Sequence, residues 1–159
     1  PIERFGIERF ARDLQNAGGV GVITPDLTIE EGGPWIAAAQ SYEISPIFLI
    51  APSSTNERIG QIAAATQGFV YAASTMGVTG ARDQVSNMAP ELVARARECT
   101  NLPIAVGLGV SNGEQAAEIA AYADGVIVGS AFVKAAVSGG SQAVAELARD
   151  LAGGVRQTR

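Results

Sequence analysis

Glycines at the ends of two successive predicted strands are the residues best able to do chemistry in this sequence. Gly107 and Gly109 follow the fourth hydrophobic run, and Gly129 and Ser130 follow the fifth. Glycine lets the backbone approach a ligand closely, helix amino-termini favour anions, and a serine adds a hydroxyl donor. Any one of these glycines alone would be interpreted as a turn residue. The pairing of Gly-x-Gly with Gly-Ser, however, is the pattern from which barrels build a phosphate site, so we expect phosphate binding.

A glycine-rich loop after the third predicted strand has the composition of a mobile lid. It runs from Ser74 to Arg82 and contains Thr79 and Gly80. Loops that close over a site are small and polar in this way, although a disordered surface loop has the same composition. Tyr71 lies on the strand before this loop. It either faces the interior of a barrel or serves as an ordinary core tyrosine.

Groups suited to acid–base catalysis are scarce. The sequence has no His, and the single Cys99 cannot complete a zinc site, so we do not expect metal-assisted chemistry. Asp26 follows the first predicted strand, where it either orients a ligand or, as we slightly favour, caps its own helix. Asp83, Glu57 and Glu114 have the positions of surface or capping residues. We identify no pair of acids that divides the acid and base roles.

Five hydrophobic runs alternate with helical patterns and predict five βα units, preceded by an amphipathic helix that begins near Ile7. Three Ser/Thr-x-x-Glu capping boxes predict helix starts. The runs are residues 20–23, 47–50, 69–72, 104–106 and 125–128, and the capping boxes begin at Thr28, Ser54 and Ser111. After the third run, the sequence predicts a linker to about Ala89 before the next helix.

The hydrophobic runs do not alternate with polar residues, which predicts strands buried on both faces and therefore a parallel sheet covered by helices. Such units build either an open doubly wound sheet or a closed barrel, and a full barrel takes about 250 residues. With 159 residues, length alone favours the open sheet or a fragment of a barrel. We expect a single domain over residues 1–159, with a flexible joint at Ser138–Ser141 before a last helix at Ala143–Leu151.

The charge pattern limits the partners. The formal charge is -5, and the Lys and Arg residues are scattered along the chain, so neither nucleic acid nor a membrane surface is an expected partner. The sequence has no secretory segment and no apolar stretch long enough to span a bilayer, and we expect a cytoplasmic protein. Its first residue is Pro1 rather than Met, from which we expect that a preceding segment has been removed.

Five segments carry a specific resemblance. Tyr71–Ala81, with the sequence Tyr-Ala-Ala-Ser-Thr-Met-Gly-Val-Thr-Gly-Ala, resembles the sixth strand and sixth loop of the tryptophan synthase α subunit family. Leu102–Val110 resembles the seventh strand of that family and Ala123–Ser130 the eighth. Thr24–Leu27 and Phe48–Thr55 resemble the ends of its fourth and fifth strands. The resemblance covers nearly the whole chain.

The resemblance implies a (β/α)8 barrel in which the five runs are strands four to eight and the first three βα units are missing. It also implies a lyase of tryptophan biosynthesis, which cleaves indole-3-glycerol phosphate to indole and glyceraldehyde 3-phosphate by a retro-aldol reaction. The implied partners are this phosphate substrate and a tryptophan synthase β subunit, which carries pyridoxal phosphate and receives the indole. The α chain itself is expected to need no cofactor.

The resemblance assigns the phosphate contacts by position. Gly80, Gly109, Gly129 and Ser130 match phosphate-binding residues of the family, and Gly107 lies beside them at the end of the seventh strand. These are largely the residues that the strand-end pattern selects without any family.

The resemblance also assigns the indole pocket and the lid. Ile23 and Tyr71 match residues that line the pocket, and Thr79 matches the loop threonine that closes over the substrate and positions a catalytic aspartate. The family's catalytic glutamate, on strand two, and its aspartate, in the loop after that strand, have no counterpart here. General acid–base groups each contribute about 10² to 10⁴ in rate, so we expect the chain alone to be inactive.

Two alternatives stay open for the sequence. Other phosphate-binding barrels, such as ribulose-phosphate epimerases and thiamin-phosphate synthases, share the strand-end glycines, but the Gly77–Gly80 sequence Gly-Val-Thr-Gly argues against them. Alternatively, the chain is a non-catalytic half-barrel scaffold whose open strand edges pair with another chain. Because five strands do not close with normal barrel geometry, we expect the isolated chain to self-associate or to take strands from a separate fragment.

Overall fold

A computed structural model describes residues 2–73, 82–107 and 109–157 of the chain. Within these residues, helices and short strands alternate along the sequence, as the hydrophobic runs predict. The strands are β1 Gly21–Ile23, β2 Ser45–Ile47, β3 Leu49–Ile50, β4 Val70–Ala73, β5 Ile104–Gly107 and β6 Gly125–Ile127. The helices are α1 Ile2–Phe5, α2 Ile7–Asn16, α3 Gly33–Ser41, α4 Asn56–Ala65, α5 Arg82–Cys99, α6 Gly113–Ala120 and α7 Ser130–Gln157.

All the strand pairings among these residues are parallel, and each strand pairs with a neighbour in the sequence. β1 pairs with β2, and β3, β4, β5 and β6 form a second sheet in that order. A doubly wound sheet reverses its strand order at a switch point, whereas a barrel keeps the order of the chain. The observed order therefore fits five units of a (β/α)8 barrel.

The second predicted strand, residues 47–50, is divided in two at Phe48. The carbonyl of Ile47 accepts a hydrogen bond from Thr24 N at 3.2 Å, and the carbonyl of Phe48 accepts one from Tyr71 N at 3.3 Å. The Phe48 ring is buried, with 1% of its surface exposed. One extended segment thus bonds to both of its neighbours and joins the two sheets.

The core lies between the sheet and the helices that cover it. Its centre is formed by buried aliphatic side chains, namely Ile50, Ile59, Val70, Leu92, Val93, Ile104 and Val106. Burial on both faces, which the continuous hydrophobic runs predict, is wrong for β4: Val70 and Ala72 are buried, but Tyr71 and Ala73 are only half-buried. The reason is that the five units cover the outer face with helices and leave the inner face partly open.

The predicted start of α3 is wrong. The capping-box residues are in contact, since Thr28 Oγ1 donates to Glu31 Oε2 at 3.3 Å, but they lie in a turn, and the helix begins at Gly33. Pro34 occupies the first turn of this helix, where a residue without a backbone N–H is well tolerated. The Pro34 ring fixes a helical φ, and the helix starts there rather than at the capping box.

The other two capping boxes are displaced by one residue. Thr55 accepts the hydrogen bond from Arg58 N at 3.2 Å, and Asn112 accepts that from Gln115 N at 2.9 Å. Ser54 instead accepts from the backbone N–H of Ala51. Each helix therefore has an alternative capping residue directly after the predicted one, and sequence spacing alone does not decide between such neighbours.

Two helices are longer than predicted. Helix α5 begins at Arg82, so the predicted linker to Ala89 is too long; the polar start of this helix has no apolar periodicity that would indicate it. Helix α7 extends from Ser130 to Gln157, but Gly140 within it has φ 61° and ψ -152°. The joint predicted at residues 138–141 is therefore confirmed as a break between two helical segments.

The second segment of α7 packs closely on the start of α6. A Cβ placed on Gly154 would lie 2.6 Å from the carbonyl carbon of Gly113 and 2.9 Å from its Cα. The carboxylate of Asp150 accepts a hydrogen bond from Gly113 N at 2.7 Å. This contact fixes α7 against the helix that follows β5. In the part of the chain that the structure describes, no helix combines the length and the apolar character needed to cross a membrane.

Candidate functional site

The carboxyl ends of three strands lie at one level. Ala73 is paired with Gly107, and Gly107 is paired with Ile127. The loops that follow β4, β5 and β6 therefore leave the sheet side by side. In parallel βα folds, this is the edge at which ligands bind.

Tyr71 lies across the end of β5. A Cβ on Gly107 would lie 2.6 Å from Tyr71 Cε2 and 2.7 Å from Tyr71 Cζ, so only glycine leaves room for the phenol. Tyr71 alternates with the buried residues Val70 and Ala72, which places it on the opposite, inner face of the sheet. Of the two interpretations given for Tyr71, the one that faces the barrel interior is confirmed.

Gly109 and Gly129 each lie two residues beyond the paired positions of β5 and β6. Both are exposed, and no other part of the described chain lies within 4 Å of a Cβ built on either glycine. Gly109 has φ 67°, in the left-handed region that favours glycine. Both loops therefore offer uncovered backbone at the strand edge.

Ser130 is the first residue of α7. The carbonyl of Gly129 accepts hydrogen bonds from Phe132 N at 3.0 Å and Val133 N at 3.2 Å, which begin the helix. The first N–H groups of a helix point away from its body and attract anions. The exposed Ser130 hydroxyl lies at this end, so the strand-end pattern does coincide with a helix amino-terminus. Thr79 and Gly80, which the sequence assigns to the same site, lie outside the described residues.

Ile23 lies at the edge of a cavity of about 650 Å³. It is the last residue of β1, and 39% of its side chain is exposed. The cavity is bounded by the loop after β1 and by the first turns of α1, α2 and α3, with Asp26, Leu27 and Trp35 among its walls. The helix-capping interpretation of Asp26 is wrong, because α3 begins seven residues later and has no side-chain cap.

Two residues of this cavity are not selected by the sequence patterns. Thr24 is 7% exposed and Trp35 is 3% exposed, yet neither Thr24 Oγ1 nor Trp35 Nε1 has a hydrogen-bond partner among the described residues. The signals available for them are weak: Thr24 ends an otherwise apolar run, and Trp35 is the only tryptophan of the chain.

A guanidinium pair joins the loop after β1 to α4. Arg58 donates to both carboxylate oxygens of Glu30, with Nη2 at 2.7 Å from Oε2. These hydrogen bonds lower the pKa of Glu30 from its ordinary value of 4.5 to about 2, and the same contact raises the pKa of Arg58. The pair fixes the position of the loop beside the 650 Å³ cavity.

Arg95 of α5 holds the loop after β3. Its guanidinium donates to Asn56 Oδ1 at 2.7 Å, to the carbonyl of Pro52 at 3.3 Å and to the carbonyl of Ser54. One planar group with five N–H donors can satisfy several acceptors that a lysine could not reach together. Arg58 and Arg95 thus brace two successive loops at the edge where the strands end.

The model of the tryptophan synthase alpha chain family matches residues 1–155 of this chain. The chain is 59% identical to a tryptophan synthase alpha chain of Mycobacterium intracellulare over 157 residues, which is 99% of this chain and 58% of that protein. It is 60% identical to the alpha chain of Mycobacteroides abscessus, with 99% and 60% covered.

Solved structures give the same result. A structure of Mycobacterium tuberculosis tryptophan synthase superimposes with a TM-score of 0.89 and 54% sequence identity, covering 98% of this chain and 59% of that one. The chain therefore spans about three-fifths of the length of the relatives that it matches.

Proposed function

Because the chain belongs to the tryptophan synthase α chain family, we propose that it supplies the last five βα units of an enzyme that cleaves indole-3-glycerol phosphate. The products would be indole and glyceraldehyde 3-phosphate. The observation that carries this proposal is the common edge at which Tyr71, Gly107, Gly109 and Gly129 meet. This edge combines an aromatic side chain with exposed backbone, as a substrate with an indole ring and a phosphate requires.

The phosphate would bind at the start of α7. There the N–H groups of the first helical turn and the Ser130 hydroxyl can donate to phosphate oxygens, while Gly109 and Gly129 allow close approach of the backbone. Gly80 of the loop after β4 would complete this site, with Gly107 adjacent to it. No lysine or arginine is required, because helix amino-termini bind anions through backbone groups.

The indole would lie on the inner face of the sheet. Tyr71 offers an aromatic surface, and Ile23 offers a partly exposed aliphatic one at the end of β1. Flat apolar walls with a few polar groups are typical of such small-molecule sites. Thr79, in the loop after β4, would close over the bound substrate and position the catalytic aspartate.

The acid and base of the reaction would come from outside this chain. The retro-aldol step needs a proton at indole C3 and a hydrogen bond to the indole N–H, and we assign these to a glutamate and an aspartate of the remaining three βα units. Without them, the expected rate loss is about 10² to 10⁴ for each group. The complete enzyme would be cytoplasmic and need no cofactor, and would deliver indole to a β chain that carries pyridoxal phosphate.

The test is indole release by the chain co-expressed with the segment of the Mycobacterium intracellulare alpha chain that it does not match. We expect indole from indole-3-glycerol phosphate only in the complex. Ser130→Ala should raise KM about 2- to 10-fold with little change in kcat, since one hydrogen bond to the non-reacting phosphate is lost. Ser138→Ala, an exposed serine of the same helix, is the control and should change neither value. A complex without indole release, or a Ser130→Ala enzyme with an unchanged KM, would contradict the proposal.

A further inference from the structure

The sheet has two free edges among the described residues, and they differ in chemistry. β1 pairs only with β2, and β6 pairs only with β5. A cavity adjoins each edge. The one beside β6, of about 480 Å³, has aliphatic and aromatic walls, with Arg156 as its charged group. The one beside β1, of about 650 Å³, contains the buried polar atoms of Thr24 and Trp35 together with Asp26 and Glu31.

The two polar atoms beside β1 lack partners within the described chain. Thr24 Oγ1 and Trp35 Nε1 have essentially no exposed surface, so bulk water does not satisfy them either. Thr66 is the contrasting case, because its hydroxyl is equally buried but donates to the carbonyl of Ile62 at 2.8 Å. Buried polar groups in folded proteins almost always have a partner. Thr24 and Trp35 are therefore the positions at which an additional surface is needed.

We infer that the family segment outside this chain docks on the β1 edge and brings a hydrogen-bond acceptor to Trp35 Nε1 and a polar partner to Thr24 Oγ1. This inference rests on the proposed function, in which three further βα units complete the barrel. The relatives are longer than this chain by about two-fifths of their own length, which is enough for those units. The surface brought to β1 must therefore be apolar opposite Ile23 and polar opposite Thr24 and Trp35.

A second copy of this chain fits the edge less well. Head-to-tail pairing would bring the β6 edge against β1, but the side chains there are apolar apart from Arg156, which can only donate hydrogen bonds. The indole N–H of Trp35 requires an acceptor. Pairing of two β1 edges would instead bring Asp26 and Glu31 of both copies together in chains that each carry a charge of -5.

The direct test is the indole ¹H–¹⁵N resonance of Trp35, which is unique because the chain has one tryptophan. The chain is labelled with ¹⁵N and assembled with the unlabelled remaining segment of the Mycobacterium intracellulare alpha chain. Formation of the hydrogen bond should move the indole proton downfield and slow its exchange with water. A 1:1 complex with an unchanged resonance would overturn the inference, as would the absence of a complex. The same shift in a homodimer of the chain alone would overturn it too.

A pair of threonine variants supplies an independent readout. Thr24→Val removes a hydroxyl that lacks a partner in the chain alone, so this variant should unfold at a higher urea concentration than wild type. In the complex it loses a hydrogen bond, and its affinity for the segment should fall about 2- to 10-fold. Thr66→Val is the matched control: it loses a hydrogen bond that exists already, so it should unfold earlier and bind the segment unchanged. An unaltered affinity for Thr24→Val would contradict the assignment.

The outcome for this surface is separable from that for the proposed function. A complex that shifts the Trp35 resonance but releases no indole would retain the docking surface and refute the enzyme. A complex that releases indole while Trp35 and Thr24 are unaffected would retain the enzyme and refute the docking surface.

Discussion

Replacement of Gly154 by alanine should destabilise the chain strongly, whereas the same replacement at Gly153 should stabilise it. Both glycines lie in the second segment of α7. A Cβ at position 154 would collide with the backbone of Gly113, 2.6 Å from its carbonyl carbon, whereas a Cβ at position 153 has no neighbour within 4 Å. The two variants change the same helix by the same methyl group and differ only in this contact.

The expected loss of stability at position 154 has two parts. Overpacking against a rigid backbone costs about 1–3 kcal/mol. Separation of the helices also weakens the hydrogen bond from Gly113 N to the Asp150 carboxylate, and loss of a helix-terminal cap costs about 1 kcal/mol. The total, about 2–4 kcal/mol, is a large part of the 5–15 kcal/mol that typically stabilises a domain. At position 153, alanine should gain up to about 1 kcal/mol of helix propensity.

Thermal unfolding followed by circular dichroism measures both effects. For a domain of this size, 1 kcal/mol shifts Tm by about 2–4 °C, so Gly154→Ala should lower Tm by roughly 5–15 °C and Gly153→Ala should raise it by a few degrees. If both variants shifted Tm in the same direction, or Gly154→Ala left it unchanged, the close packing of α7 on α6 would be refuted.

Three further predictions concern the strand-end loops. Gly107→Ala should displace the Tyr71 phenol and, in the assembled enzyme, lower kcat/KM for indole-3-glycerol phosphate at least about 10-fold; steady-state assays would contradict this if kcat/KM stayed within about twofold of wild type. Because the folded pKa of Glu30 is about 2 and its ordinary value is 4.5, the stability from the Arg58 pair should be present above pH 4.5 and lost as the pH falls towards 2. Urea unfolding of Glu30→Gln should therefore differ from wild type at about pH 6 and converge with it near pH 2, and an equal difference at both pH values would exclude the pair as its source. Arg95→Lys should increase proteolysis of the loop after β3, since a single ammonium cannot serve three acceptors on that loop; a cleavage rate equal to that of wild type would contradict this.

The order of the fold was predictable because it is written in local patterns. Each hydrophobic run lies at a strand, and the run that holds Phe48 is divided because its two ends bond to different neighbours. Helix starts were less predictable. Where two capping residues are adjacent, as with Ser54 and Thr55, the choice depends on the path of the preceding loop.

The site was predictable where it depends on backbone and not where it depends on distant side chains. Gly109, Gly129 and Ser130 follow strands directly, so their spacing alone indicates that they share one edge of the sheet. The contact between Arg58 and Glu30 joins residues 28 positions apart, and the contact between Arg95 and the loop after β3 spans about 40. No local pattern encodes such pairs.

The role of Trp35 was also not predictable from spacing. In a sequence, a tryptophan near a helix start is simply a core residue, and Trp35 is indeed buried. Its importance arises from an indole N–H that the described chain leaves without an acceptor. That property belongs to the packed fold and to what completes it.

The division of the active site between this chain and the remaining family segment can be measured as indole release from indole-3-glycerol phosphate. The assay compares the purified chain alone with the same chain assembled with that segment. We expect no release above background from the chain alone and turnover from the assembly, because the five βα units carry the binding edge and the other three carry the acid and base. Turnover by the chain alone would contradict this division of the site, and a stable assembly without turnover would contradict the assigned reaction.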